Sequence, residues 1–385
     1  MGRLQLSLIT ILSVCVVTFN TQEAPEEPEV SEPQLEVEPT QTIFTGSGPL
    51  QGRKVTTAAG SSHYEYLGIP FAEPPTGRRR FRAPLPVQPW QEVLQAIQDG
   101  SPCLQPITGF EFGETSGMSE DCLTLNIFTT TNTHHQNKPV MFWIHGGGFS
   151  QGSKDQYRMR GLIEEDVVLV TTNYRLHALG FLSFGNSLVS GNMGLQDQHL
   201  ALQWVRHNIH RFGGDPGRIT IFGESAGAMS VQAQVLSPYN IGLLGGAIAQ
   251  SGSILSLSTT QPGVEVEAAE NVLEALGCPT ARDWTSLDCL QGLNMETMIV
   301  NITDDFRSFM DPNIESKFQF SPVIDSFASN PFLPLDPLEA LKTGQFNQVP
   351  YMSGIVKNEV SSTSTTSLGS SAQPYNNILI ILLTE

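Results

Sequence analysis

Residues 219–230 read ITIFGESAGAMS. The run Ile219–Phe222 has the apolar, β-branched character of a buried strand, and AGAMSVQAQVL, from Ala226 to Leu236, reads as a helix. Between them Gly223-x-Ser225-x-Gly227 has the pattern of a nucleophile elbow. Such a turn is so tight that a side chain at either glycine would clash. It lifts the serine hydroxyl above the strand end and aims helix N–H groups at the same spot, where they favour a developing oxyanion. A chain with 35 glycines produces this pattern by chance at some rate, and a serine here could simply cap a helix. The strand before it and the helix after it favour the catalytic reading.

A second glycine cluster lies upstream. In KPVMFWIHGGGF a buried strand runs into His145-Gly146-Gly147-Gly148-Phe149. Bare N–H groups at glycines approach a substrate oxygen closely, as an oxyanion hole requires; the bland alternative is a flexible turn. His145 reads as structural rather than catalytic. Further strand signals are VVLVTTNYR, RITIF, LLGGAIAQSG and VPYMSGI. Helical spacing is seen in GLQDQHLALQWVRHNIHRFGG, which stops at Gly213-Gly214, in VEVEAAENVLEALG and in DPLEALKTG. Strands alternating with helices predict an α/β fold, a mostly parallel central sheet with helices on both faces.

The 385 residues carry 38 acidic and 20 basic side chains, a net charge of −18. That balance argues against nucleic acid as a partner. Part of it is local: positions 22–40 hold seven Glu and no Lys or Arg, with prolines and no aromatics. Residues 21–42 therefore read as a disordered acidic spacer. Before it, residues 1–20 have one Arg and then a mostly apolar run, the shape of a signal peptide and short for a membrane span; an uncleaved anchor is the alternative. Cys15 would leave with this leader. Cys103, Cys122, Cys278 and Cys289 remain, an even number that suggests disulfides in a secreted chain. Three pairings are open, of which nearest neighbours give two short loops, each worth roughly 3 kcal/mol by chain entropy. No C-x-x-C occurs and no histidine sits near these cysteines, so no metal or other cofactor is implied. The sequon Asn301-Ile302-Thr303 fits secretion and marks Asn301 as a glycosylation candidate.

Several long stretches, in order, carry a family resemblance: GIPFAEPPTGRRRFRAP, SEDCLTLNIF, PVMFWIHGGGF, TTNYRLHALGFLS, GNMGLQDQHLALQWVRHNIHRFGGDPGRITIFGESAGAMSV and AIAQSGS. Weaker matches run from FSPVIDSF to VPYMSGIVKNEV. The chain resembles the type-B carboxylesterases, the family that includes the cholinesterases, on an α/β-hydrolase fold. The resemblance covers residues 43–360. It implies that Ser225 is the nucleophile, that backbone N–H groups of Gly147, Gly148 and Ala226 form the oxyanion hole, and that Glu359 is the triad acid. It also implies the pairs Cys103–Cys122 and Cys278–Cys289.

Two departures stand out. Val360 follows Glu359 where the family usually has glycine; Asp325, in SPVIDSF, is a lesser rival that the family keeps for structure. The general base of the family is a histidine well beyond the acid. All eight histidines here, His63, His134, His135, His145, His177, His199, His207 and His210, precede Ser225. Residues 361–385 form a Ser/Thr-rich divergent tail ending in ILIILL, a run far too short to span a bilayer. The expectation is a C-terminally incomplete, secreted esterase that hydrolyses a small carboxylic ester through an acyl-serine intermediate, impaired for want of its base. The alternatives are a non-catalytic esterase-like binding or adhesion protein, and a sequestrant acylated once without turnover. Cholinesterases carry a tryptophan for the choline cation in the first disulfide loop. The corresponding LQPITGFEFGETSGMSED has none, which disfavours a choline ester.

Overall fold

Apolar residues alternate along the strands and thereby sort onto two faces of one sheet. The computed structural model describes residues 36–56, 60–106, 117–134, 136–256, 263–294, 299, 302 and 320–356. Among these, nine strands form the main sheet. They are β1 (Glu36–Pro39), β2 (Arg53–Thr56), β3 (Ser62–Pro70), β4 (Thr124–Thr129), β5 (Lys138–Ile144), β6 (Val168–Thr172), β7 (Gly214–Glu224), β8 (Gly246–Gln250) and β9 (Tyr351–Gly354). Their spatial order is β1-β2-β3-β4-β6-β5-β7-β8-β9. The five strands from β6 to β9 pair in parallel. The four from β1 to β4 pair antiparallel, as β4 does with β6.

The parallel half is the one that strand–helix alternation predicts. The antiparallel half is not announced that way, because among the described residues its strands follow one another without an intervening α-helix. β1 lies inside the acidic stretch read as spacer. Its main chain pairs with β2, in a register that sets Glu38 opposite Lys54, and the two side chains form a 3.4 Å ion pair. Composition reports on side chains, whereas an edge strand needs only main-chain partners.

Helices α1 (Met193–Asn208), α2 (Ala226–Leu236), α3 (Val264–Ala275), α4 (Trp284–Gly292) and α5 (Pro337–Thr343) surround the sheet. Val140, Phe142 and Ile144 of β5, Val168 and Val170 of β6, and Ile219 and Ile221 of β7 share one buried layer with Leu202, Val205, Val231 and Val235 of α1 and α2. The intervening residues Trp143, Leu169 and Phe222 face the other way and pack with Ile163 of the one-turn helix Arg160–Glu164. Helices thus cover both faces. Helix ends follow local chemistry: Gly213 and Gly344 take the left-handed conformation after their helices, and Asp283 and Asp336 accept from first-turn amides of α4 and α5.

Disulfides join Cys103 to Cys122 and Cys278 to Cys289, the pairing that the resemblance implies. No helix among the described residues is long and apolar enough to cross a membrane. The leader, spacer residues 21–35, Asn301 and the tail 361–385 lie outside the described residues.

Candidate active site

β7 ends at Glu224 and α2 begins at Ala226, so Ser225 is the whole of the turn between them. Its backbone has φ 56° and ψ −122°, a conformation that only glycine adopts without strain. The strain is held in place on both sides. The Ser225 N–H donates to Gln250 O at 2.9 Å, and its carbonyl accepts from Met229 N at 3.1 Å. A Cβ on Gly223 would stand 2.6 Å from Ile144 O, and one on Gly227 would stand 2.2 Å from the same oxygen. Neither distance can be relieved by a rotamer, because the obstacle is main chain. Gly252 is equally confined: its Cβ would meet Ser225 O at 2.3 Å.

The glycine loop following β5 lies against this turn. A Cβ on Gly146 would be 2.7 Å from Glu224 O and 3.3 Å from Ser225 Cβ. Gly147 has φ +106°, and its Cβ would meet Gln151 O at 2.2 Å. Gly148 has φ 60°. The Gly147 carbonyl turns inward and accepts from Ser150 N and Gln151 N at 3.1 and 2.9 Å. Ala226, wholly buried, is the first residue of α2, where amides have no partner inside the helix. The three residues predicted for the oxyanion hole therefore sit on the two segments that meet at Ser225.

His145 is buried and its ring stacks on Tyr174 at 4.4 Å. Burial, helped by the Lys154 charge, pushes its pKa down to about 4, against a smaller opposing effect of the Gly146 carbonyl. Neutral at pH 7, the ring donates from Nδ1 to Gly146 O at 2.8 Å. The Tyr174 hydroxyl donates to His145 O at 2.9 Å. His145 thus shapes the loop, in keeping with a structural role. His63 pairs with Glu65, His134 with Arg211 O, His199 with Asn240 and His207 with Gln203 O. His177 is buried beside Phe320, with ring centroids 4.4 Å apart.

The strand that precedes the predicted acid in sequence, β9, ends at the same place. Gln250 is in register with both Glu224 and Gly354, and Ser251 N donates to Gly354 O at 2.8 Å. Glu359 follows five positions later and lies outside the described residues. Asp325 is buried, and its carboxylate accepts from Phe332 N and Leu333 N at 2.9 and 2.7 Å, a loop-bracing arrangement. Gly146 and Gly252 were not singled out by motif reading. The clue to Gly252 was the repeated small residues of AIAQSGS; for Gly146 it was membership of the triple glycine.

A serine elbow at the carboxyl end of a parallel strand, with a glycine loop from the neighbouring strand touching it, defines an α/β-hydrolase. The chain belongs to the carboxylesterase family, whose sequence profile matches residues 39–378. That match begins at the last residue of β1 and extends into the tail. Among relatives, a carboxylic ester hydrolase of Bombus ignitus is 36% identical over 92% of this chain and 60% of its own length. A juvenile hormone esterase of Tribolium castaneum is 39% identical over 82% of this chain and 56% of its own. An acetylcholinesterase of Bungarus fasciatus is 40% identical over 82% and 53%. The chain spans somewhat more than half the length of these curated relatives.

Proposed function

We propose that this protein reacts with carboxylic esters through Ser225. The observation that carries this reading is the close approach of Gly146 to Ser225, where an added Cβ would stand 3.3 Å from the serine Cβ. In the proposed step the Ser225 hydroxyl adds to the ester carbonyl. Backbone N–H groups of Gly147, Gly148 and Ala226 stabilise the oxyanion, the alcohol leaves, and water later releases the acid from the acyl-serine. Glu359 is the proposed acid, five residues beyond the end of β9. The first disulfide loop holds Phe110 and Phe112 but no tryptophan, so the favoured substrate is an uncharged ester rather than a choline ester.

No histidine follows Ser225 in these 385 residues. The family's general base is therefore not among these residues. Loss of that base costs on the order of 10⁴-fold in turnover, while the oxyanion hole retains residual effect. A polypeptide limited to these residues would accordingly be acylated stoichiometrically and release its acyl group slowly. Two disulfides and the apolar leader support secretion, and Asn301 is the proposed glycan acceptor.

The test is a short-chain p-nitrophenyl ester assay with fluorophosphonate labelling, run on the purified chain and on Ser225→Ala. Serine-dependent labelling with turnover slowed to a few cycles is the expected result. Fast turnover abolished in the variant would mean that a base is supplied from elsewhere. Absence of labelling in a folded chain would leave an esterase-like binding protein.

A further inference from the structure

One side chain connects the first disulfide to the segment that follows the oxyanion loop. Gln105, two residues after Cys103, is 4% exposed. Its Oε1 accepts from Gly152 N at 2.8 Å, and its Nε2 donates to Gly152 O at 3.0 Å and to Cys103 O at 3.0 Å. The side-chain amide thus pairs with both main-chain groups of Gly152 as an adjacent strand would. Gly152 has φ +109°, and a Cβ there would be 2.6 Å from His145 Nδ1 and 2.7 Å from Gly146 O. Whatever holds Gly152 therefore holds the start of the loop that meets Ser225. The other half of the disulfide braces the same segment. Asn173 donates from Nδ2 to Cys122 O at 3.1 Å and accepts Lys154 N on Oδ1 at 2.9 Å.

We propose that Gln105 is a positioning residue for the oxyanion loop, fixing Gly146–Gly148 against Ser225 by clamping Gly152 to the Cys103–Cys122 disulfide. The proposal rests on the reading of that loop as the oxyanion hole, but its physical content can be tested without catalysis. Gln105→Leu keeps the volume and removes the clamp. Hydrogen–deuterium exchange of the amides from Gly146 to Gly152 should accelerate about tenfold, the effect of losing the two buried hydrogen bonds to Gly152, while β5 and β7 keep their protection. Fluorophosphonate labelling of Ser225 should slow in parallel.

Gln105→Glu is the second variant, because it can still accept from Gly152 N. Protonated, it also donates to Gly152 O; ionised, it repels that oxygen. Loop protection, corrected for intrinsic exchange, should therefore be greater at about pH 5 than at about pH 8. Unchanged loop exchange in Gln105→Leu, or pH-independent protection in Gln105→Glu, would overturn the clamp. A wild-type chain that takes no label overturns the esterase reading instead, and the exchange measurement still decides the clamp.

Discussion

Ser225 shows how a single residue is held in a strained backbone conformation. A non-glycine residue at φ 56° and ψ −122° costs on the order of 1–3 kcal/mol, met here by the packing of Gly223, Gly227 and Gly252 around it. Ser225→Gly should therefore raise the stability of the protein by about 1 kcal/mol while abolishing serine labelling. Ser225→Ala should abolish labelling without that gain, since alanine suffers the same strain. Urea midpoints of the two variants distinguish them; equal midpoints would mean that the turn is not strained. This part of the site was legible in the sequence as the Gly223-x-Ser225-x-Gly227 pattern, although the main chain that confines both glycines, Ile144 O, belongs to β5. The contacts that hold the serine from outside were not, since Gly252 and Gln250 arrive from a different strand.

Between elements, α1 and α2 are joined by a directional chain of buried amides as well as by apolar packing. With the neutral His199 ring donating from Nδ1, His199 bonds Asn240 Oδ1 at 2.8 Å. Asn240 Nδ2 donates to Gln234 Oε1 at 2.7 Å, Gln234 Nε2 to Gln198 Oε1 at 3.0 Å, and Gln198 Nε2 to Ser230 Oγ at 3.0 Å. Gln234 Nε2 also donates to Leu195 O at 2.9 Å. Every bond depends on its neighbour, so removing the middle strands several groups away from water. Gln234→Leu should cost about 2–4 kcal/mol, more than an ordinary apolar substitution of equal volume. Denaturant unfolding measures this; a loss below about 1 kcal/mol would show that the chain relaxes or hydrates. Nothing in AGAMSVQAQVL announces the network. Its helical period is readable, but the partners of Gln234 lie across another helix.

At the scale of the whole molecule, two buried histidines and Glu65 make the fold sensitive to acid, while burial raises the pKa of Asp155, Asp197 and Asp325 and so acts the other way. Burial drives the pKa of His145 down to about 4 and that of His177 to about 3, from an ordinary 6.5. Unfolded, these histidines bind protons below pH 6.5 that the native state refuses. Their contribution is therefore complete above pH 6.5 and is lost as pH falls through the folded values. A drop from 6.5 to about 4 is worth roughly 3 kcal/mol for His145 alone. Glu65 acts in the same direction lower down. Burial raises its pKa, but hydrogen bonds from His63 and Arg53 and the Arg53 charge outweigh that and hold it at about 2. Its share is present above 4.5 and lost as pH falls toward 2. The melting temperature should fall steadily from pH 7 to pH 4, with His145→Gln flattening the upper part of the decline. A melting temperature independent of pH over that range would contradict this account.

Local rules settled much of this protein from sequence alone. The apolar runs of β5 and β7, the helical period of α1 and the glycines at helix ends are each set by sterics and solvation within a few residues. Membership of the carboxylesterase family was legible for a related reason, since its motifs preserve those constraints in order. What only the tertiary structure decided is how distant segments share space. The antiparallel half of the sheet is not marked by strand–helix alternation in the sequence, and β1 forms from acidic residues because its main chain finds β2. Gln105 gripping Gly152 across 47 positions, and Gly252 closing over Ser225, depend on main-chain groups that every residue carries, so no side-chain pattern records them.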